Sequence, residues 1–279
     1  MIKNKRRLFI IILVFICIYP YLLSASQNPI EWKQKKGAHF IVKYASGIPY
    51  GWVARLLSYA ENYYSKIAYQ IGYTRYTDFW IWDKRAEIIV YPDRRSFSKA
   101  TGQPIWSRGG AIRDGIFRNG RLIVTFWQEN GFLEGVLPHE IAHLILHDFI
   151  GDSRKIPVWL DEGLAQLQEK DKVRLADMII CNSIKHGNGY IPFQRFINAD
   201  FRYTGMPKEK IRLFYAQSLS VVAFLIRHYG VNSFGILCRC LRDGADFSIA
   251  LRKAYPTIFK NIFSLEKQWI KYITENSCH

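Results

Sequence analysis

His139, Glu140 and His143 stand in the order His-Glu-Ile-Ala-His, a spacing with chemical meaning if the segment is helical. Residues four apart lie one turn up the same helix face, about 6 Å along the axis, so both imidazoles can converge on one metal ion. Glu140 follows His139 directly and so leans aside from that ion, where its carboxylate can take a proton from water instead of competing as a ligand. Pro138 suits a first helical turn, and Ile141, Leu144, Ile145 and Phe149 supply an apolar face for burial. That face alone is what any buried helix shows. Composition produces roughly 0.01 accidental matches to the spacing in 279 residues, so the pattern is informative without being sufficient.

A catalytic zinc takes three protein ligands and keeps one position open, so two histidines call for a third partner. His147 continues the same stripe but lies about 12 Å along the axis from His139, too far for one ion with bonds near 2 Å. It reads as a surface histidine or as a support to the ligands. Pro157-Val158-Trp159-Leu160-Asp161-Glu162-Gly163-Leu164-Ala165 opens a second helix after a short connection, and a carboxylate at Glu162 in its first turns could reach back to the metal. Asp161 next to it could orient a ligating imidazole or cap its own helix.

At this point the chain resembles the gluzincin metallopeptidases, and among them the bacterial peptidase MA-like domains. Eighteen residues separate His143 from Glu162, the spacing of the aminopeptidase branch, and Trp159-Leu160-Asp161-Glu162-Gly163-Leu164-Ala165 matches the second motif of those enzymes. The resemblance implies one Zn2+ held by His139, His143 and Glu162, Glu140 as general base, Asp161 behind a ligating imidazole, and a peptide or protein substrate. It also implies a zincin fold with a thermolysin-like catalytic core. A tyrosine on a later helix of such domains points to Tyr215, in Phe214-Tyr215-Ala216-Gln217-Ser218, as the donor to the oxyanion of the tetrahedral intermediate. His186 and His228 are alternatives, and a packing role for Tyr215 stays open. The strand Arg121 to Trp127 is expected as the edge along which an extended peptide pairs its backbone. One departure counts: where the aminopeptidases carry Gly-x-Met-Glu-Asn, this chain reads Gly109-Gly110-Ala111-Ile112-Arg113, so aminopeptidase specificity is not supported.

The elements that must position these groups fall into two halves. His39 to Tyr44 and Ala86 to Tyr91 read as strands around a helix at 50–71, followed by a short helix at 96–101. A hairpin is expected from strands 115–118 and 121–127 turning at Asn119-Gly120. From Glu134 the pattern turns helical, at about 136–149, 158–170, 172–185, 208–229, 232–242, 245–254 and 258–274. Strands first and helices second predict an α+β fold. A single domain at 27–279 is expected, with a sheet-rich lobe at 27–130, a helical lobe at 131–279 and the active site between them.

Half of the chain is hydrophobic, 49% with 15% aromatic residues, enough for a sizeable core. Lys3 to Arg7, the apolar run Leu8 to Leu23 and the small residues Ser24-Ala25-Ser26 predict a signal peptide or an uncleaved N-terminal membrane anchor at 1–26. The folded part is then exported, to the periplasm or cell surface. The net charge of +16 suits an anionic envelope surface, whereas no zinc-finger spacing or arginine-rich tract points to nucleic acid. Outside Cys17, Cys181, Cys238, Cys240 and Cys278 have no metal-ligand spacing, and their pairing is not readable from sequence. Oligomeric state is equally unreadable. Two further functions fit the same motifs: a zinc amide hydrolase acting on cell-wall peptides, and a zinc-retaining envelope binding or assembly protein without turnover. An intact Glu140 disfavours the second.

Overall fold

The computed structural model describes residues 29–279 except 74–79, 82–83, 106, 113–119, 129–130, 152–153, 155, 188, 200–206, 277 and 279. The expected leader at 1–26 and the expected strand at 115–118 lie outside the described residues. Five strands form one sheet in the order β1-β2-β3-β5-β4: β1 is Trp32–Lys36, β2 Phe40–Ala45, β3 Ala86–Tyr91, β4 Gly109–Ile112 and β5 Leu122–Phe126. β3 runs parallel to both β2 and β5, whereas β4 runs antiparallel to β5. Two corrections follow. The strand expected at 121–127 is internal, paired on both sides, and the edge belongs to β4, which sequence reading left out along with β1.

Alternation decides which face each residue takes. Phe40, Val42 and Tyr44 on β2 and Ala86, Ile88 and Val90 on β3 are buried, and α1 (Tyr50–Gln70) packs its Trp52, Val53, Leu56, Leu57, Ala60 and Ile67 into the core. β5 is buried at all five positions because both faces are covered, and its one polar residue, Thr125, donates its hydroxyl to the Arg108 carbonyl at 2.7 Å. Its Leu122, Val124 and Phe126 pack with Phe97 of α2 (Arg94–Thr101) in a separate cluster on the far side.

After β5 a single π-helical turn at Phe132–Val136 leads into α3 (Leu137–Ile150), which is buried around most of its circumference. Gly151, at φ +91, ends it in a backbone conformation that few other residues adopt. Then come α4 (Val158–Leu167), α5 (Lys172–Lys185), the short α6 (Phe193–Phe196), α7 (Lys208–Tyr229), α8 (Val231–Arg242), α9 (Phe247–Ala254) and α10 (Ile262–Asn276). The helices expected from sequence are all present with ends shifted by a few residues, and α6 is additional. α7 is the axle of this half, buried without a break from Ala216 to Ile226. α4 crosses it so closely at Gly163 that a Cβ there would overlap the Ser218 carbonyl. A five-strand sheet followed by a mainly helical region makes the fold α+β.

Residues 33–279 form one compact unit. A disulfide joins Cys181 on α5 to Cys278 beyond α10, while Cys238 and Cys240 are free. Among the described residues no helix is long and apolar enough to cross a membrane.

Candidate metal centre

The polar side of α3 carries His139, Glu140, His143 and His147, and each of these side chains has a partner from another element. Asp161, buried in the first turn of α4, accepts from His143 Nδ1 at 2.6 Å through one oxygen and from His147 Nε2 at 2.8 Å through the other. Glu169 lies in the turn after α4 and accepts from His139 Nδ1 at 3.0 Å. That turn is itself fixed. Asp171 takes a left-handed conformation at φ +59, Lys170 reaches Glu134 in the π-helical turn at 3.4 Å, and Lys172 pairs with the second oxygen of Glu169 at 3.2 Å.

These hydrogen bonds set the tautomers. With Nδ1–H of each imidazole donated to a carboxylate, the Nε2 atoms of His139 and His143 carry lone pairs, and they face each other at 3.1 Å. Two lone pairs at that distance repel unless a proton or a metal ion lies between them, and the separation suits either. A carboxylate oxygen of Glu162 stands 3.9 Å from His143 Nε2, and His139, His143 and Glu162 together could hold a metal ion. Donors 2.0–2.1 Å from a tetrahedral zinc lie about 3.4 Å apart, so the spacing and the nitrogen-nitrogen-oxygen donor set fit that ion.

The electrostatics favour positive charge in the cluster. Burial disfavours a charged His143, but Asp161, with Glu162 and Glu140 behind it, outweighs burial and pushes the pKa up to about 9. Burial works against ionisation of Asp161 and Glu169 too, yet the imidazoles they hold keep both below the ordinary carboxylate range. The site is a nest of anions that draws in positive charge. His143, His147 and Asp161 form a second group able to hold an ion. There the short contacts are hydrogen bonds of imidazole to carboxylate, and His143 presents Nδ1 to Asp161 and Nε2 to His139.

Glu140 lies beside the cluster and accepts a hydrogen bond from Ala111 N–H at 2.8 Å. That amide belongs to the edge strand β4, so the carboxylate is oriented by the edge of the sheet. On its other flank α3 is tied to the sheet through Asp148. One Asp148 oxygen takes Tyr73 OH and Trp80 Nε1, both at 2.9 Å, and the other takes Arg121 Nε and Nη2 at 3.1 and 2.6 Å. Burial and the Asp148 charge together hold the Tyr73 hydroxyl in its protonated form.

Sequence reasoning missed Glu169, Asp148 and the Ala111 amide. Nothing but the fold brings the partners together, since 30, 27 and 29 residues separate His139–Glu169, Arg121–Asp148 and Ala111–Glu140. Tyr215 lies on α7 and lines a cavity of about 330 Å³ with Gln166, the residue one turn after Glu162 on α4. The two alternatives sit elsewhere: exposed His186 bonds to the Asn182 carbonyl at the end of α5, and exposed His228 stacks on Phe224.

The chain belongs to the Peptidase MA superfamily, whose sequence profile matches residues 123–275, just over half of its length. No curated protein is detectably similar in sequence. The matched stretch runs from β5 into α10 and contains the whole cluster. At the level of the family this is a metallopeptidase-like hydrolase, metal-dependent and directed at peptide or protein substrates.

Proposed function

We propose that the protein is an exported zinc metallopeptidase with a thermolysin-like catalytic core, in which His139, His143 and Glu162 hold one Zn2+ and Glu140 is the general base. The observation that carries this reading is the convergence of ligand atoms from His139, His143 and Glu162, with each imidazole held by a carboxylate on its Nδ1. Such a triad of metal, imidazole and carboxylate raises ligand basicity and locks ring orientation. Zinc, when bound, supplies a Lewis acid that acidifies water and polarises a carbonyl.

The remaining work falls to the chain. Glu140, steadied by Ala111 N–H, takes the proton of the attacking water and returns it to the leaving amine. The outer edge of β4 carries no strand among the described residues, and an extended peptide adds there, backbone to backbone, across the face of Glu140. Tyr215 donates its hydroxyl to the oxyanion, from a helix whose crossing with α4 at Gly163 lies one residue from Glu162. Export is supported by the N-terminal pattern of basic then apolar residues and by the Cys181–Cys278 bridge, which suits an oxidising compartment.

The test is hydrolysis of a mixed peptide library, then of peptidoglycan, by zinc-loaded native protein and Glu140→Ala. Cleavage of peptides by the native protein alone is expected. Cleavage confined to peptidoglycan would move the activity to cell-wall amides, and no cleavage at full zinc occupancy would leave a binding protein.

A further inference from the structure

A trough begins at Gln166, one turn after Glu162 on α4. Its inner chamber, about 330 Å³, sits between Gln166 of α4, Lys172 and Ile179 of α5, and Arg212 and Tyr215 of α7. An outer chamber of about 690 Å³ continues past His186 and Lys210. Ile179 and Arg212 line both chambers, so the two adjoin. Along α5 from Lys172 to Ser183 the trough runs about 16 Å, the span of five residues of extended peptide.

The walls are amphipathic with a charge bias. Ile179, Leu213, Leu219 and Ala216 supply apolar surface, and among the described residues the outer chamber carries Lys210 and Arg212 against one acidic residue, Glu209. Lys172 in the inner chamber is already paired with Glu169. Lys210 and Arg212 are exposed and, among the described residues, have no acidic partner. They stand in the first turns of α7, where the helix dipole adds positive potential. The buried Gln166 Nε2 has no hydrogen-bond partner among the described residues.

We propose that this trough receives the stretch of an extended peptide that leaves the metal cluster and that Arg212 selects a carboxylate on it, either an acidic side chain or a free C-terminus. Lys210 reinforces that selection, and the apolar wall of α5 and α7 accepts the neighbouring side chains. The inference rests on the peptidase reading and names the substrate class for it: acidic peptides, or peptides cut near their C-terminal end.

Binding is read on zinc-loaded Glu140→Ala protein by fluorescence anisotropy, with labelled neutral hexapeptides in which one Glu is walked along the sequence. Gln counterparts and C-terminally amidated versions separate the two sources of carboxylate. One Glu position, or the free C-terminus, is expected to bind about 5-fold tighter than its neutral counterpart, with the advantage falling as salt rises. Arg212→Ala is expected to abolish the difference, Arg212→Lys to restore part of it, and Arg212→Glu to turn the preference toward a Lys-bearing peptide. Equal binding of charged and neutral peptides, or a preference unchanged in Arg212→Glu, overturns the proposal. Native protein on the same peptides separates the two claims: cleavage without charge preference removes the trough assignment alone. Discrimination at Arg212 without cleavage upholds the carboxylate site and removes the peptidase reading.

Discussion

Asp161→Asn perturbs the metal centre without touching a ligand. The carboxylate is 5% exposed and accepts from His143 Nδ1 at 2.6 Å and His147 Nε2 at 2.8 Å. An amide keeps one acceptor oxygen and turns the other position into an N–H donor, so one imidazole loses its partner and His143 loses the negative charge behind it. Loss of such a partner weakens metal binding by about 10- to 100-fold, or about 1.4–2.7 kcal/mol. At fixed free zinc the same amount disappears from the stabilisation that zinc gives the fold. For a domain of this size that lowers the Tm of the zinc-loaded protein by about 3–10 °C. The assay is competition for zinc against a chromophoric chelator, with thermal melts in excess zinc and in excess chelator. The variant should lose affinity, and its Tm deficit should be larger with zinc than with chelator. Unchanged affinity with equal deficits in both conditions would refute the reasoning and make Asp161 only a helix-packing residue.

Gly163→Ala pushes a methyl group into the Ser218 carbonyl. Separating α4 from α7 in this way should cost about 1–3 kcal/mol, seen as a lower denaturant midpoint; an unchanged midpoint would show that the crossing is looser than described. Asp148→Ala strands the Tyr73 and Trp80 donors and Arg121, and should cost roughly 2–4 kcal/mol by the same measurement. Glu61 bridges His39 and the backbone amides of His39 and Phe40; burial opposes its charge, but these partners outweigh it and keep its pKa below the unfolded value near 4.5. Its contribution is therefore complete above that value and is lost as pH falls through the folded pKa, so Glu61→Gln should flatten the acid limb of Tm against pH, and parallel limbs would contradict the assignment. Reducing the Cys181–Cys278 bridge, which spans 97 residues, should lower stability by about 2–4 kcal/mol, and identical melts with and without reductant would count against it.

How much of this was legible in the sequence depends on the range of the interactions. His139, Glu140, His143 and Glu162 stood out because their relative positions follow from helix geometry and one short connection. Asp161 was legible as a neighbour of Glu162, but whether it faced a ligand or its own helix end was not. Glu169 reaches His139 only because Asp171 and the Lys170–Glu134 contact fold the turn back onto α3, and no local pattern records that. Most helices were readable from their 3.6-residue periodicity. β4 was not, since Gly109-Gly110 has no side-chain alternation to read. The strand 122–126 is readable, but its neighbours are not: Leu122, Ile123, Val124 and Phe126 signal covered faces, whereas pairing with β3 and β4 is tertiary information. The Cys181–Cys278 pairing depends on where α10 ends relative to α5, which is tertiary information.

The central claim is that three side chains, His139, His143 and Glu162, hold one zinc ion while Glu140 does not. Metal content after loading and desalting, measured on native protein, Glu162→Ala and Glu140→Ala of verified fold, tests it most directly. One zinc per chain in native protein and Glu140→Ala, with loss of zinc from Glu162→Ala, is the predicted result. Zinc retained as tightly by Glu162→Ala, or lost from Glu140→Ala, would contradict it.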